Sequence, residues 1–264
     1  MAYQLSASKL QAYQRCAQAY YFKYERGIPS PGFFGSTALG TALHKALAKI
    51  YGNWHYLDAK PDRDWIDFCW SEHQTGLSLS QIEEGQEILE HYYDCFIANE
   101  TAIRKPLAVE GKIKARLPAY NVEFILTGRY DRLDWLDEGL ELIDYKSTKE
   151  VKELDPSQVD LQIGLYYLAL EQAYKQSLRR LSLLYLRTGD KVSFDATPDH
   201  KQMVEETISE IAMRLRTDCE WKPAPGKQCD RCTYSRYCSA VQEHPEPLPA
   251  DAKPEQELQL VLGL

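Results

Sequence analysis

The sequence GRYDRLDWLDEGLELIDYKS, residues 128–147, decides the fold class that we predict. Its two halves lie in neighbouring predicted strands, Val122 to Trp135 and Leu140 to Ser147, joined by a turn at residues 137–139. Upstream, residues 107–117 alternate apolar and charged side chains, which is typical of a strand with one solvated face. The three segments predict a three-stranded meander in the middle of the chain.

Helical patterns lie on both sides of this meander. Upstream, we predict helices over residues 6–26, over the segment from Leu39 to Tyr51, and over 62–74 and 80–100. Downstream, the pattern predicts a helix over residues 157–176, strands over 180–187 and 191–195, and a last helix from Thr197-Pro198 to Arg216. This order of elements predicts a mixed α/β domain.

Residues 58–100 are interpreted as an acidic helical insertion on the solvent side of the core. They carry eleven acidic residues against Lys60 and Arg63, and Ser80 with Glu83 forms a capping-box pattern. The whole chain of 264 residues has a net charge of −8, but residues 1–30 and 222–238 each carry +3. Because a polyanion meets local surface charge, the global sign does not exclude nucleic acid as a partner.

The location that we predict is cytoplasmic, with no contact to a membrane. No run approaches the roughly 18 consecutive apolar residues that a spanning helix needs, and the N-terminus lacks a signal-peptide pattern. Thiols stay reduced in such a compartment. The seven cysteines therefore indicate metal ligation or burial rather than disulfides.

Asp131, Asp144 and Lys146 form the candidate catalytic group. Asp144 and Lys146 are two apart, so they project from one strand face, and the neighbouring strand delivers Asp131. Two carboxylates can hold Mg²⁺ or Mn²⁺, which activates water, while a lysine positions that water or stabilises the transition state. The alternative is an ordinary solvated strand face. Glu110 also lies on a solvated face, and we assign it no role in the site.

A cysteine cluster follows the last helix. Cys229, Cys232 and Cys238 are close enough in sequence for one metal site, and a fourth thiolate would complete a tetrahedral set. Both zinc and an iron–sulfur cluster accept four thiolates, so the spacing leaves both open. The other cysteines, Cys69, Cys95 and Cys219, lie in helical patterns and are interpreted as core residues.

These motifs resemble the PD-(D/E)xK nuclease superfamily, specifically its RecB-like branch with an iron–sulfur cluster. The resemblance lies in five pieces in the family's order, which span residues 5–238: Leu5 to Leu10 with Tyr13 and Cys16; Gly40 to His44; Gly128 to Asp134; Ile143 to Ser147; and Gln162 with Tyr166. The family usually has proline after the first cysteine, whereas Ala17 follows Cys16 here.

The resemblance implies a restriction-endonuclease-like fold, a mixed central sheet flanked by helices with a helical insertion, over residues 1–240. It implies a set of ligands for Mg²⁺ or Mn²⁺, namely His44, Asp131, Asp144 and the backbone carbonyl of Tyr145. Lys146 would serve the water. Gln162 and Tyr166 would orient Lys146 or contact the phosphate.

The resemblance also implies a cofactor at the two ends of the domain. Cys16 would complete a [4Fe–4S] cluster with the three downstream thiolates, Cys229, Cys232 and Cys238, and zinc is the alternative. The other interpretation of Cys16 is simple burial. The cluster would join the opening helix to residues 229–238.

The predicted function is a metal-dependent DNA nuclease, an exonuclease on single-stranded DNA or DNA ends, in DNA repair or recombination. The chain has no G-x-x-x-x-G-K-[ST] motif and hence no helicase motor of its own. One alternative is a non-catalytic iron–sulfur scaffold that binds DNA ends, which the intact Asp131, Asp144, Lys146 and Gln162 argue against. Another is an accessory nuclease of CRISPR spacer acquisition, which the genomic neighbourhood would decide.

Residues 241–264 are predicted to be a flexible tail, rich in proline and acidic residues, that ends in a peptide motif. The ending resembles peptides that bind the bacterial DNA sliding clamp, with Gln259, Leu260, Leu262 and Leu264 as the contacting residues. Exposed apolar residues at a free end usually mark a partner site. The alternative is that the tail adds an edge strand to its own domain.

Overall fold

The structure, a computed structural model, describes residues 3–30, 36–119, 122–151 and 161–254. Its helices and strands follow the order β1 (Tyr3–Leu5), α1 (Ala7–Arg15), α2 (Ala17–Tyr20), α3 (Ser36–Gly52), α4 (Arg63–Ser71), α5 (Leu79–Phe96), β2 (Ala108–Ala119), β3 (Val122–Leu136), β4 (Gly139–Lys146), α6 (Leu161–Tyr174), β5 (Leu178–Tyr185), β6 (Asp190–Asp195) and α7 (Pro198–Thr217). Within these ranges, no helix has the length and hydropathy that crossing a membrane requires.

The strands form one mixed sheet in the order β1-β3-β4-β5-β6, with β2 also paired to β3. The predicted meander β2-β3-β4 is antiparallel, whereas β1 with β3 and β4 with β5 are parallel pairs. Along β3, β1 pairs with residues 124–126 and β4 with residues 132–136. β2 pairs along the other edge of β3. On the edge shared by β1 and β4, residues 127–131 of β3 therefore lie between the two partner strands, and we call this place the gap in the sheet.

Helices cover both faces of the sheet, which confirms the predicted α/β class. One large apolar cluster contains side chains of α1, α6 and α7 against the sheet, for example Leu10, Leu165 and Ile208. A second cluster, with Leu43, Trp70 and Tyr92 among its residues, joins α3, α4 and α5 to the other face. Burial of these apolar surfaces is the main stabilising contribution to such a layered domain.

The acidic segment 58–100 contributes to the core, which its interpretation as a solvent-side insertion did not anticipate. Its helices α4 and α5 bury Trp70, Leu89 and Tyr92 in the second apolar cluster. The many acidic side chains hid the apolar stripe that these amphipathic helices turn toward the sheet. Among the cysteines that we expected in the core, Cys69 is buried, whereas Cys95 and Cys219 are exposed.

Two predicted helix boundaries are also wrong. The helix expected over 6–26 is interrupted at Cys16, where the backbone is extended at φ −168° and ψ 111°. The cap of α5 is Ser78, whose hydroxyl accepts from the backbone of Gln81 while the Gln81 side chain accepts from the Ser78 backbone. Ser80 is already inside the first turn, so the proposed box with Glu83 lies two residues too late.

Candidate functional site

Asp131 and Asp144 face each other where β3 and β4 separate. The hydrogen-bonded ladder ends at the pair Arg132 and Ile143, and the same register places Asp131 opposite Asp144 one step further. Asp144 is only 4% exposed, and its Oδ2 lies 2.5 Å from Nζ of Lys146 on the same strand. The three residues of the predicted catalytic group are thus neighbours at the gap in the sheet.

His44 on α3 reaches the same place. Its Nδ1 lies 2.9 Å from Oδ1 of Asp131, and its ring packs edge-on against the ring of Tyr145. The other oxygen of Asp131, Oδ2, accepts a hydrogen bond of 2.7 Å from the backbone N–H of Tyr145. Asp131 therefore links the helix that carries His44 to the strand that carries Asp144 and Lys146.

Glu110 is a residue of this site that our sequence reasoning missed. Its carboxylate and the ligand atoms of His44 and Asp131 all lie within 4.8 Å of one another. Within β2, Glu110 has a φ of +49°, a strained value for a residue with a side chain. The neighbouring Gly111, a glycine inside a strand, was the available signal, because a Cβ there would come within 2.1 Å of the Tyr130 hydroxyl.

The left-handed residue also reverses the alternation of β2. Val109 packs against the cluster that includes α3, whereas Ile113 and Ala115 belong to the cluster with α6 on the other face. An unbroken period of two would have placed all three on one face. The solvated face that we assigned to Glu110 therefore turns toward the site.

Tyr166 supports the site from behind. It is buried on α6, and its hydroxyl donates a hydrogen bond to the backbone carbonyl of Arg129 in β3. A Cβ at position 128 would lie 2.9 Å from the Tyr166 ring, which explains the glycine there. Gln162 belongs to the same helix, but its side chain lies outside the described residues.

A buried arginine joins the elements that carry these residues. The Arg132 guanidinium donates hydrogen bonds to the hydroxyl groups of Tyr145 (3.0 Å) and Tyr92 (3.2 Å). It also pairs with Asp134 at 3.0 Å and lies 4.2 Å from the ring centre of Tyr51. One side chain thereby connects α3, α5, β3 and β4 within the core.

An open cleft of about 860 Å³ leads to the site. Its lining includes the three potential ligands, the cations Lys45, Arg129 and Arg187, and Gln81 and Glu84 from α5. Nη1 of Arg187 lies 2.5 Å from Glu84, and its Nε donates to the carbonyl of Ser147. The helix α5 therefore forms one wall of the cleft.

The environment shifts two pKa values in the site. Burial raises the pKa of Asp144 to about 6, an effect that Asp131 reinforces and Lys146 opposes. For His44, burial alone would lower the pKa, but the hydrogen bond and the negative charge of Asp131 outweigh it, and the pKa is raised. Both groups therefore hold protons more readily than usual when no metal ion competes.

The donor atoms at the gap suit a divalent cation. One imidazole nitrogen and the carboxylate oxygens of Glu110 and Asp131 are close enough to share an ion, and Asp144 lies beside them. Carboxylate oxygens are the ligands that Mg²⁺ and Mn²⁺ prefer, and Mn²⁺ also accepts imidazole. The residues fit the metal ion that the sequence predicts.

The four cysteines of the predicted cluster line a second cavity, of about 310 Å³, at the two ends of the domain. Sγ of Cys16 accepts a hydrogen bond from the backbone of Ala224, and the Cys238 thiol donates to Gln18. Among the described residues, no three cysteine sulfurs lie within 4.8 Å of one another. All seven cysteines are free of disulfide bonds.

The described part of the tail runs beside this cavity. The backbone N–H of Lys253 donates to the carbonyl of Arg26, and Nε of Arg26 donates to the carbonyl of Lys253. Leu248 and Ala252 pack against a small apolar cluster, whose buried members are Phe22, Ile28, Tyr234 and Tyr237. Residues 255–264, including the predicted peptide motif, lie outside the described residues.

Comparison with known proteins identifies a family. The sequence model of the PD-(D/E)XK nuclease superfamily matches residues 4–239. Among solved structures, a candidate exonuclease from Eubacterium rectale has 15% identity and a TM-score of 0.48, with 99% of this chain and 94% of that chain covered. SSO0001 has 14% identity and a TM-score of 0.44, with 90% and 87% covered. No curated protein sequence gives a significant match.

Metal affinity should fall steeply as the pH is lowered through 6. Below that value Asp144 and His44 are protonated, and a metal ion must displace those protons to bind. We expect a loss of up to about tenfold per pH unit for each displaced proton. Calorimetric titration of metal-free protein with Mn²⁺ between about pH 5 and 8 measures this loss of affinity.

The matched control is Asp144→Asn, which removes the titrating carboxyl group at nearly constant volume. It should bind Mn²⁺ more weakly and with a flatter pH profile. An unchanged affinity across the range in the parent protein would contradict the assignment of Asp144 and His44 to the metal site.

Proposed function

Because this chain belongs to the PD-(D/E)XK nuclease superfamily, we propose that it is a metal-dependent deoxyribonuclease. We propose further that it works as an exonuclease on single-stranded DNA or DNA ends, in DNA repair or recombination. The observation that carries the proposal is the convergence of His44, Asp131, Asp144 and Lys146 at the gap in the sheet. Side chains from a helix and two strands meet there at the end of an open cleft.

In this proposal the metal ion is held by five groups, which include one residue that the sequence did not suggest. They are the side chains of His44, Asp131, Asp144 and Glu110 and the backbone carbonyl of Tyr145. When bound, a divalent ion lowers the pKa of a water molecule and neutralises charge that develops on the phosphate. The hydrogen bond from the Tyr145 backbone orients Asp131 for this task.

Lys146 holds the attacking water in line with the phosphate and stabilises the extra negative charge of the transition state. Its ion pair with Asp144 fixes the ammonium group within reach of the same site. The Tyr166 hydroxyl keeps β3 in place through the Arg129 carbonyl, so Tyr166 acts on the position of the strand. Gln162 is proposed to orient Lys146.

Lys146→Ala and Asp144→Asn should each reduce DNA hydrolysis by about 10²-fold to 10³-fold or more, because each removes a charge that acts in the transition state. The assay uses anaerobically purified protein, Mn²⁺ and end-labelled single-stranded DNA in linear and circular forms. Loss of linear substrate with intact circles identifies an exonuclease, and chelation of the metal should stop the reaction.

The control for charge is Lys112→Ala, since Lys112 is an exposed lysine of β2 outside the lining of the cleft. Circular dichroism and thermal unfolding verify that each variant is folded. If hydrolysis survives both site substitutions, the chemistry lies elsewhere. If the parent protein binds DNA ends with no hydrolysis under any metal, the non-catalytic scaffold is the better description.

We also propose that the four cysteines hold a [4Fe–4S] cluster, which would place the chain in the RecB-like branch of the superfamily. Cys16, Cys229, Cys232 and Cys238 line one cavity. A single zinc ion with Zn–S distances of about 2.3 Å holds its four sulfurs about 3.8 Å apart. Among the described residues no three of these sulfurs lie that close together, and zinc, which also accepts four thiolates, is the alternative.

Protein purified without oxygen should be brown and contain about four irons per chain. Cys16→Ala should lose the iron and much of the stability, because it removes the link between the two ends of the domain. Cys95→Ala, which changes an exposed cysteine far from the cavity lining, should keep both. A colourless protein that contains one zinc and is fully active would refute the cluster.

Residues 1–240 are proposed as the nuclease domain and residues 241–264 as a tail that binds the bacterial sliding clamp. The flexibility expected of the whole tail does not extend to its described part, because Leu248, Ala252 and Lys253 contact the domain. Gln259, Leu260, Leu262 and Leu264 would make the contact. Tethering would raise the effective concentration of the nuclease at DNA without a new contact at the active site. The anchor beside Arg26 holds the chain at Lys253, six residues before Gln259 in the sequence.

Deleting residues 259–264 should eliminate binding to purified clamp and leave hydrolysis of short oligonucleotides unchanged. The affinity of the intact chain should be roughly micromolar, about −8 kcal/mol, because a free peptide loses entropy on binding. Binding of each chain to surface-immobilised clamp measures this affinity directly. Equal binding of the truncated and intact chains, or no binding of either, contradicts the tether.

A further inference from the structure

Arg129 and Glu110 form an ion pair at the edge of the metal site. Nη1 of Arg129 lies 3.1 Å from Oε2 of Glu110, and the Arg129 side chain is 58% exposed against 22% for Glu110. Within the described parts of the chain, Glu110 is the only carboxylate that pairs with Arg129. The same carboxylate is also a potential metal ligand with His44 and Asp131.

Arg129 lies where its side chain can contact a substrate in the cleft. It precedes Asp131 by two residues on β3, so both side chains project from the same face of the strand. Arg129 lines the cleft, and the Tyr166 hydroxyl fixes its backbone carbonyl. A phosphate close to the metal ion would therefore lie within reach of this guanidinium, which can bind it through two parallel hydrogen bonds.

The single negative charge of Glu110 cannot fully neutralise both the Arg129 guanidinium and a divalent cation. An ion pair as exposed as this one contributes little to the stability of the fold, so the guanidinium is easily released. A divalent cation held by Glu110, His44 and Asp131 would carry twice the charge of the guanidinium. Once it is bound, the negative charge of Glu110 is satisfied and the positive charge of Arg129 is no longer compensated.

We propose that Arg129 is the phosphate-binding residue of the cleft and that metal binding at Glu110 releases it for the substrate. The inference rests on the proposed function, since the phosphate is that of the DNA strand. Metal and DNA then bind cooperatively, and by linkage each increases the affinity for the other by the same factor. Without metal, Glu110 stays paired with the Arg129 guanidinium, and the protein binds DNA weakly.

The test measures binding of single-stranded DNA by fluorescence anisotropy in the Lys146→Ala background, with EDTA or with Mg²⁺. Mg²⁺ should increase the affinity of this parent by roughly tenfold, within the usual range of coupling between sites. Arg129→Gln should lose most of that gain. Glu110→Gln should bind DNA more tightly than the parent in EDTA, because Arg129 is then free of its partner.

A second measurement uses no DNA. In calorimetric titration with Mn²⁺, Arg129→Gln should bind the metal ion more tightly than the parent, because the guanidinium no longer competes for Glu110. The matched control is Arg116→Gln, which breaks an exposed pair with Glu123 on the same two strands, at 3.3 Å. It should change neither the metal affinity nor the gain with Mg²⁺.

The outcomes separate this inference from the proposed function. If Arg129→Gln keeps the full gain with Mg²⁺ and an unchanged Mn²⁺ affinity, the role of Arg129 is wrong while nuclease activity of the wild type stands. If the parent protein binds no DNA with or without metal, both proposals fail. If Arg129→Gln binds Mn²⁺ more tightly than the parent and loses the increase in DNA affinity with Mg²⁺, the coupling between metal and DNA binding is supported.

Discussion

The buried guanidinium of Arg132 constrains the rest of the structure. A charge in the core is costly unless its donors are paired, and removing one partner typically destabilises a protein by about 3–5 kcal/mol. Tyr51, Tyr92, Tyr145 and Asp134 supply partners here, from two helices and two strands, while Nε of the guanidinium is left without a hydrogen-bond partner among the described residues. Tyr51 shares α3 with His44, Arg132 follows Asp131, and Tyr145 lies between Asp144 and Lys146. The network that stabilises the core therefore also fixes the spacing of the reactive groups.

The gap in the sheet explains how polar groups can gather in this core. β1 and β4 pair with different parts of β3, so the backbone between them is open to side chains from α3 and β2. Carboxylates placed there lose water and have an electrostatic cost, which is expressed in the raised pKa of Asp144. A bound cation offsets that cost, so the structural defect in the ladder and the affinity for metal have the same origin.

Patterns of period two and ordered motifs were sufficient to predict the meander, the α/β class, and the meeting of Asp131, Asp144 and Lys146. They failed at Glu110, because one left-handed residue reverses the faces of a strand and leaves no mark in hydropathy. They also failed to show that α5 packs on the sheet, because its five acidic side chains obscure the apolar stripe. In both cases tertiary contacts decided the outcome, and the sequence offered at most an indirect signal, such as Gly111 beside Glu110.

The junction of the two chain ends has a consequence for how the protein forms. Tyr13 bonds to Asp218, Cys16 to Ala224 and Arg26 to Lys253, so the opening helices find partners more than 200 residues away. Contacts of such separation form late, because closing a long loop costs entropy before any contact compensates it. At about 5–20 residues per second, synthesis of the whole chain takes roughly tens of seconds. During that time Tyr13, Tyr20 and Tyr21 lack Trp221, the ring that packs against all three, and a nascent chain that stops short of residue 221 cannot complete this cover.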